Sequence, residues 1–337
     1  MRRCIGAILL ALATVPAMAA PIGAWEASQS PGWSIPMLEA AETFAGRHDV
    51  TALIVVQHST VVADWGDTTK PTELASIRKS LLDALIGIAV SQHRVNLDNT
   101  MAQLDIDDNP PSLSPEERQA TVRMLLEARS GVYHPALYET RAMAAKRPAR
   151  FSHAPGTFWY YNNWDFNALG AIYEQATGQS IYQAFAEEIA RPIGMQDYDP
   201  KAQHYVRGKA SIHPAYTFRM SARDLARFAL LFRNRGVWDG RQIVPAQWVQ
   251  DSTTAYSKAD HGFGYGYLWW TAGVHDALHL PAGSYFAWGA GGQFAFIFPQ
   301  DDLVIVERTD RDLHLTPPTL SEIAELLAAI RRAGGLK

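Results

Sequence analysis

Strand-like runs of apolar residues lie toward both ends of the chain, and helix-like spacing fills the middle. Met37–His48 reads as a helix. Thr51–Gln57 and Val61–Trp65 read as two strands joined by a tight turn at His58-Ser59-Thr60, because Val55, Val56, Val61 and Val62 favour extended backbone. From Ile77 to about Gln92 the pattern has no polar face: Leu81, Leu82, Ala84, Leu85, Ile86, Ile88, Ala89 and Val90 cover every side. A helix of that kind is expected to be buried all round.

Pro110, Pro111, Ser112 and Ser114 mark a loop, and helical patterning is then expected to dominate to about Met195. It includes Trp164–Ala176 and Ser180–Ala190, with Gly178 between them and Pro192 and Gly194 after. Further helices are expected at Ser221–Arg235, near Pro245–Asp251 and at Leu320–Arg332. Strands are expected at Gly264–Thr271, Tyr285–Gly289, Gln293–Phe298 and Leu303–Arg308, with a turn at Pro299–Asp302. This order predicts an α+β fold, with one sheet built from both ends of the chain and flanked by helices, plus an all-helical lobe. The corresponding boundaries are 20–80 with 206–337 for a discontinuous sheet domain, and 81–205 for the helical domain.

Composition narrows the class. Of 337 residues 47% are hydrophobic and 19% charged, which suits a globular core rather than a solvated disordered chain. A formal charge of −4 argues against nucleic acid as an obligate partner. Residues 1–19 combine Arg2 and Arg3, an apolar run from Ile5 to Val15, and the small-residue triplet Ala17-Met18-Ala19. That pattern reads as a cleavable secretory signal peptide, with periplasmic or secreted localisation, rather than a membrane anchor. The run is shorter than the roughly 20 apolar residues a span needs, and Pro16 interrupts it. Cleavage near Ala19/Ala20 would remove both arginines and Cys4, taking the charge to −6 and leaving no cysteine. Thiol catalysis and disulfides are thereby excluded from the mature chain, which has no integral membrane span.

Three short motifs carry chemistry. Ser76-Ile77-Arg78-Lys79 is an S-x-x-K tetrad at the start of the all-apolar helix, and Lys79 is the one lysine of seven with serine three places before it. A helix N-terminus favours developing negative charge, and an i,i+3 lysine shares the serine's face. Burial would depress the ammonium pKa until a neutral amine could take the serine proton. The competing reading is an N-cap serine, with Lys79 paired to Asp83 at i+4. Tyr161-Asn162-Asn163 forms a Y-x-N motif, overlapped by Tyr160-x-Asn162; a tyrosine near a lysine can relay its proton, and the asparagines could equally cap the helix at Trp164. Gly289-Ala290-Gly291-Gly292-Gln293 leads into an apolar strand, where glycines permit close backbone approach and expose amides to an oxyanion.

In this order the motifs resemble the serine β-lactamase and penicillin-binding protein superfamily, in its class C-like branch, which also holds carboxylesterases and 6-aminohexanoate-oligomer hydrolases. Supporting stretches are Ala120–Gly131, Pro155–Gly170, Met220–Leu230 and Gly264–Trp270, so the similarity spans nearly all of the expected mature chain. The resemblance implies a β-lactamase/transpeptidase-like fold. It implies Ser76 as acylated nucleophile, Lys79 as its activator and Tyr161 as acid/base partner, with Asn163 on the substrate. The interval from Pro155-Gly156 to Gly170 fits Tyr161 and Asn163 better than Tyr160 and Asn162. The amides of Ser76 and Ala290 would hold the oxyanion, with Gly291 beside them. Class C-like β-lactamases carry K-T-G on the corresponding strand and many relatives H-x-G; here the stretch has no cation. That departure favours the 6-aminohexanoate-oligomer hydrolase and esterase side of the group.

Rival signatures are missing from the sequence: there is no G-x-S-x-G, H-E-x-x-H or P-loop, and no acidic ligand pattern accompanies His275 and His279 at i,i+4, which favours a surface or core role over metal. The expectation is therefore an exported serine hydrolase that cleaves a small-molecule or peptide-like amide or ester through an acyl-enzyme and needs no cofactor or metal. The alternatives are a β-lactamase or D-alanyl-D-alanine carboxypeptidase, or a catalytically weak penicillin-binding protein.

Overall fold

A computed structural model describes residues 31–336; the expected signal peptide lies outside the described residues. Runs of β-branched residues form β1 (Ala52–Gln57) and β2 (Thr60–Gly66), which follow helix α1 (Ile35–Arg47). His58 and Ser59 turn the hairpin with φ of +48° and +59°. After the short strand β3 (Thr72–Glu73) a single 3₁₀ turn, Ala75–Ile77, runs directly into α2 (Arg78–Ser91). Every residue of α2 from Arg78 to Ala89 is buried, as an apolar circumference requires.

Helical patterning does not dominate the next stretch. Between Gln92 and Asn162 the described helices are short: Glu117–Gln119, α3 (Val122–Leu126) and α4 (Arg141–Lys146). Prolines at 110, 111, 115, 135, 148 and 155 interrupt helical hydrogen bonding. Side chains take over: Arg150 donates to Glu117 Oε2 (2.7 Å) and to the Ser112 carbonyl (2.6 Å), and Asp107 accepts from Leu113 N (2.8 Å). Regular helix resumes with α5 (Asn163–Thr177), which Gly178 ends at φ +67°, and with α6 (Ile181–Phe185), which continues as a π turn through Ala190.

The hairpin β4 (Tyr205–Gly208) and β5 (Ser211–Tyr216) packs on α5, and β6 (Arg219–Met220) pairs with β3. Helix α7 (Ala222–Arg233) is capped by Ser221, and the small ribbon β7 (Val237–Trp238) and β8 (Arg241–Gln242) follows it. Next come α8 (Ala246–Ser252), β9 (Ser257–Lys258), β10 (Gly264–Tyr265) and β11 (Trp270–Thr271). The expected strand at 264–271 is thus two short ones, reversed where Leu268 takes φ +60°. The long strands β12 (Tyr285–Gly289), β13 (Gln293–Phe298) and β14 (Leu303–Arg308) precede the final helix α9 (Leu320–Ala333).

Among the described residues these strands build an eight-stranded antiparallel sheet in the order β2-β1-β14-β13-β12-β11-β10-β9. β1 and β14 pair from Ala52↔Arg308 to Gln57↔Leu303, so an early strand and the last strand lie side by side, second and third from one edge of the sheet. β13 and β14 are buried along their whole length, so helices must cover both faces there. Helix α7 packs against β1, β13 and β14, while α1 packs on α9. The result is the α+β, mainly antiparallel β-lactamase/transpeptidase-like fold, with α2 running from the sheet toward α5 and α6.

Candidate active site

Ser76 sits in the 3₁₀ turn that opens α2. Ala75, just before it, holds φ +47°, a left-handed conformation costly for a residue with a Cβ. The neighbouring backbone enforces it: Leu74 N donates to the Phe218 carbonyl at 2.8 Å, and the Leu74 carbonyl accepts from Ile77 N at 3.2 Å. One turn on, Lys79 Nζ lies 2.7 Å from Ser76 Oγ and 2.8 Å from Tyr161 Oη. The amine is buried, 4.5 Å from the Tyr161 ring centre and 4.8 Å from that of Phe166.

Burial drives the Lys79 pKa well below its ordinary value, and the Arg78 charge beside it pushes the same way. The expected alternative partner is occupied elsewhere. Asp83 accepts from Trp269 Nε1 (3.1 Å), Trp248 Nε1 (3.1 Å) and Ser252 Oγ (3.0 Å), so no carboxylate pairs with Lys79 among the described residues. Burial also raises the Tyr161 phenol to about 12, partly offset by Ser76 and Arg78. Both shifts favour the uncharged forms, an amine and a protonated phenol, which sets a proton acceptor beside a proton donor.

Tyr161 arrives from the segment before α5, which Tyr160 N fastens to the Ala128 carbonyl (3.0 Å) and Gly156 N to that of Arg129 (2.8 Å). Of the overlapping tyrosines, Tyr161 meets Lys79, while Tyr160 Oη donates to the Met143 carbonyl at 3.0 Å. Asn162 is the cap of α5: its Oδ1 accepts from Trp164 N (3.2 Å), and its amide nitrogen reaches the Val132 carbonyl (2.6 Å) and Asp165 Oδ1 (2.8 Å). Asn163 is buried in the first turn, where its Nδ2 donates to the Tyr138 carbonyl (2.8 Å). It does not line the cleft described below.

Strand β12 passes directly beside the serine. A Cβ on Gly289 would fall 2.3 Å from the Leu74 carbonyl oxygen and 3.2 Å from Ser76 N, so only glycine fits this approach. Ala290 lies at the rim of the same cleft as Ser76. Gly291 and Gly292 turn the chain at φ +83° and +68°, and the Gly291 carbonyl is held by Gln293 Nε2 at 2.8 Å.

The cleft above Ser76 has a volume of about 960 Å³ and is walled by aromatic rings. Trp270 stacks on Tyr161 at 5.4 Å, and it adjoins Trp288 at 5.3 Å and Trp159 at 6.1 Å. Of the tryptophans near the motifs, these three line the cleft; Trp164 and Trp269 are core residues bonded to Asp108 and Asp83. The cations along its wall, Arg129, Lys146 and Lys258, come from other segments than β12, where Trp288 lines the opening.

Sequence reasoning passed over Arg78. Its guanidinium is buried, donates to Asn167 Oδ1 (3.0 Å) and stacks on Tyr216, 4.3 Å from the ring centre. The signal was present: an arginine at the start of a helix apolar on nearly every side must have an interior role.

Residues 39–312 match the Beta-lactamase family, and the chain belongs to it. It is similar to solved structures at identities that speak for the fold. One is assigned as a 6-aminohexanoate-dimer hydrolase from Bacillus anthracis (TM-score 0.66, 21% identity, 88% of this chain and 82% of that one). A β-lactamase from Mycobacterium bovis superposes with TM-score 0.63 at 22% identity, covering 88% and 100%. A penicillin-binding protein homologue from Caulobacter crescentus gives 0.65 at 16%, covering 91% and 100%. In sequence the chain is also similar to an uncharacterised protein of Alkalihalophilus pseudofirmus, 23% identical over 257 residues, 69% of this chain and 71% of that one. A hydrolase fold of the β-lactamase type thus surrounds the Ser76–Lys79–Tyr161 cluster.

Proposed function

We propose that the protein is an exported serine hydrolase that cleaves an amide or ester through an acyl-enzyme on Ser76. The observation that carries this reading is the buried, carboxylate-free Lys79 within 2.8 Å of both Ser76 Oγ and Tyr161 Oη. In the first half-reaction Ser76 Oγ attacks the substrate carbonyl and its proton passes to Lys79. Tyr161 gives its proton to the leaving amine or alkoxide and is reprotonated from Lys79 as the scissile bond breaks. Water then attacks the ester on Ser76, a proton returns to Oγ by the same pair, and the acid leaves. The amides of Ser76 and Ala290 hold the oxyanion in both steps.

Ester or amide hydrolysis is favoured over β-lactam or D-alanyl peptide cleavage because β12 presents Trp288 to the cleft and no cation for a substrate carboxylate. A fluorophosphonate probe should label the wild-type protein, and Ser76→Ala should abolish both the label and nitrophenyl-ester turnover. Labelling that survives the substitution overturns the nucleophile assignment. Stable labelling by a fluorescent penicillin without ester turnover would support a penicillin-binding protein instead.

Export rests on the leader-like pattern of residues 1–19. N-terminal sequencing of the protein made with its own leader should begin near Ala20 in the extracytoplasmic fraction; an intact Met1 in the cytoplasm would refute it.

A further inference from the structure

Two buried side chains far apart from Ser76 in sequence connect the glycine loop to the segment that carries the nucleophile. Gln293 is the first residue of β13 and is fully buried. Its Nε2 donates to the Gly291 carbonyl at 2.8 Å and to the Thr309 carbonyl, and its Oε1 accepts from Arg308 Nε. Arg308, at the end of β14, is itself buried. Its Nη1 donates to the Met220 carbonyl at 2.9 Å, and its Nη2 to the Glu73 carbonyl at 3.1 Å and to Thr72 Oγ1.

The pair therefore joins three pieces of backbone: β3, which leads into Ser76 within three residues; β6, which pairs with β3; and the 289–292 loop. The guanidinium is hydrogen-bonded to two carbonyls, a hydroxyl and an amide oxygen, with the charges of Glu307 and Asp310 nearby, so its bonds have fixed directions. Burial holds the Arg308 pKa down to about 10, still far enough above neutral for it to remain charged. A second link runs outside the first. The Arg311 side chain covers Gly291, where a Cβ would lie 3.1 Å from Arg311 Cδ, and its guanidinium pairs with Glu73 at 3.4 Å.

We infer that Gln293 and Arg308 are positioning residues that hold the Ala290 amide in register with the Ser76 amide, so that both donors point at one oxyanion. The inference rests on the acyl-enzyme reading above. An oxyanion hole acts only if its donors sit about 3 Å from where the charge develops, and displacement by about 1 Å costs on the order of 100-fold in rate. The Gly291 carbonyl lies two peptide units after the one that carries the Ala290 amide, so releasing it loosens the turn that immediately follows that amide.

Gln293→Glu separates the two functions of the side chain: it keeps the acceptor for Arg308 and removes the donor to the Gly291 carbonyl. It should lower kcat for p-nitrophenyl butyrate by about 10- to 100-fold while KM moves by less than about 3-fold. Affinity for phenylboronic acid, whose serine adduct is a tetrahedral anion, should fall by a similar factor. Arg308→Lys, which retains the charge but loses the fork, should show the same split and is the deciding variant if Gln293→Glu does not fold. Wild-type kcat and boronate affinity in folded variants with a lowered Tm would show a merely structural pair and overturn the inference. Boronate inhibition and ester turnover that persist in Ser76→Ala would instead refute the acyl-enzyme reading itself.

Discussion

Lys79→Met is expected to slow acylation by about 10²- to 10⁴-fold and at the same time raise the melting temperature by several degrees. The rate falls because the serine loses the group that takes its proton. Stability rises because Met fills a similar volume without an amine to desolvate. The sign of the pH dependence follows from the depressed Lys79 pKa. Between that value and the ordinary 10.5 the unfolded chain holds a proton that the folded chain has released, so wild-type stability climbs with pH across this window. The thermal gain of the variant should accordingly be largest below the folded pKa and fade as pH approaches 10.5. In the wild-type enzyme kcat/KM should rise through the same folded pKa, with no alkaline fall until Tyr161 ionises near 12. Thermal melts and ester kinetics over pH 5–10 check both halves (a window set by ordinary reference values). Retained activity, or a lower Tm throughout, would mean that Lys79 serves as a paired structural charge.

Gly289→Ala should damage fold and activity together. The new methyl would meet the Leu74 carbonyl oxygen at 2.3 Å and press toward Ser76 N at 3.2 Å, and both are backbone atoms that no rotamer change can clear. Overpacking of this kind costs about 1–3 kcal/mol, and a shift of about 1 Å between β12 and the serine would cost a further 100-fold in kcat/KM. Urea denaturation and ester kinetics measure the two effects. Gly46→Ala is the control: its Cβ meets only the Trp65 ring at 3.4 Å within α1, where alanine is the better helix former, so stability should hold or improve. Equal behaviour of the two variants would refute the close-approach argument.

What could be read from the sequence was whatever short-range pattern dictates. The strands at 285–289, 293–298 and 303–308 follow from their continuous apolar runs and intervening turn, and α2 from its largely apolar circumference. Ser76 and Lys79 are one helical turn apart, so their meeting was legible, whereas Tyr161 over Tyr160 came only from the family resemblance, through the interval to Gly170. Partner choice across long separations was not. Trp248 and Trp269 take the Asp83 carboxylate from 165 and 186 residues away, which decides that Lys79 stays unpaired. Arg308 reaches Thr72 across 236 residues. In the stretch 92–162 six prolines cut helical spacing into short turns. Its order comes instead from side chains bonding to backbone, which periodicity does not encode. Ala75 offers no signal at all: a left-handed alanine is imposed by tertiary packing against local preference.

The pairing of β1 with β14 has a consequence for the order in which the protein can be made. Thr51 and Arg308, bonded where β1 meets β14, are 257 residues apart. A ribosome delivers β1, β2 and the whole S-x-x-K helix long before the strand that will sit between β1 and β13 exists. Until then β1 presents a bare edge with β-branched side chains, the kind of surface that invites wrong partners. Closure over so long a loop is slow, although its entropy grows only with the logarithm of length. Ser76, Lys79 and Tyr161 are therefore synthesised early, yet Gly289, Ala290 and Arg308 reach them only with the last strands. The nascent chain carries Ser76 through most of translation without the glycine strand that packs beside it in the folded cleft.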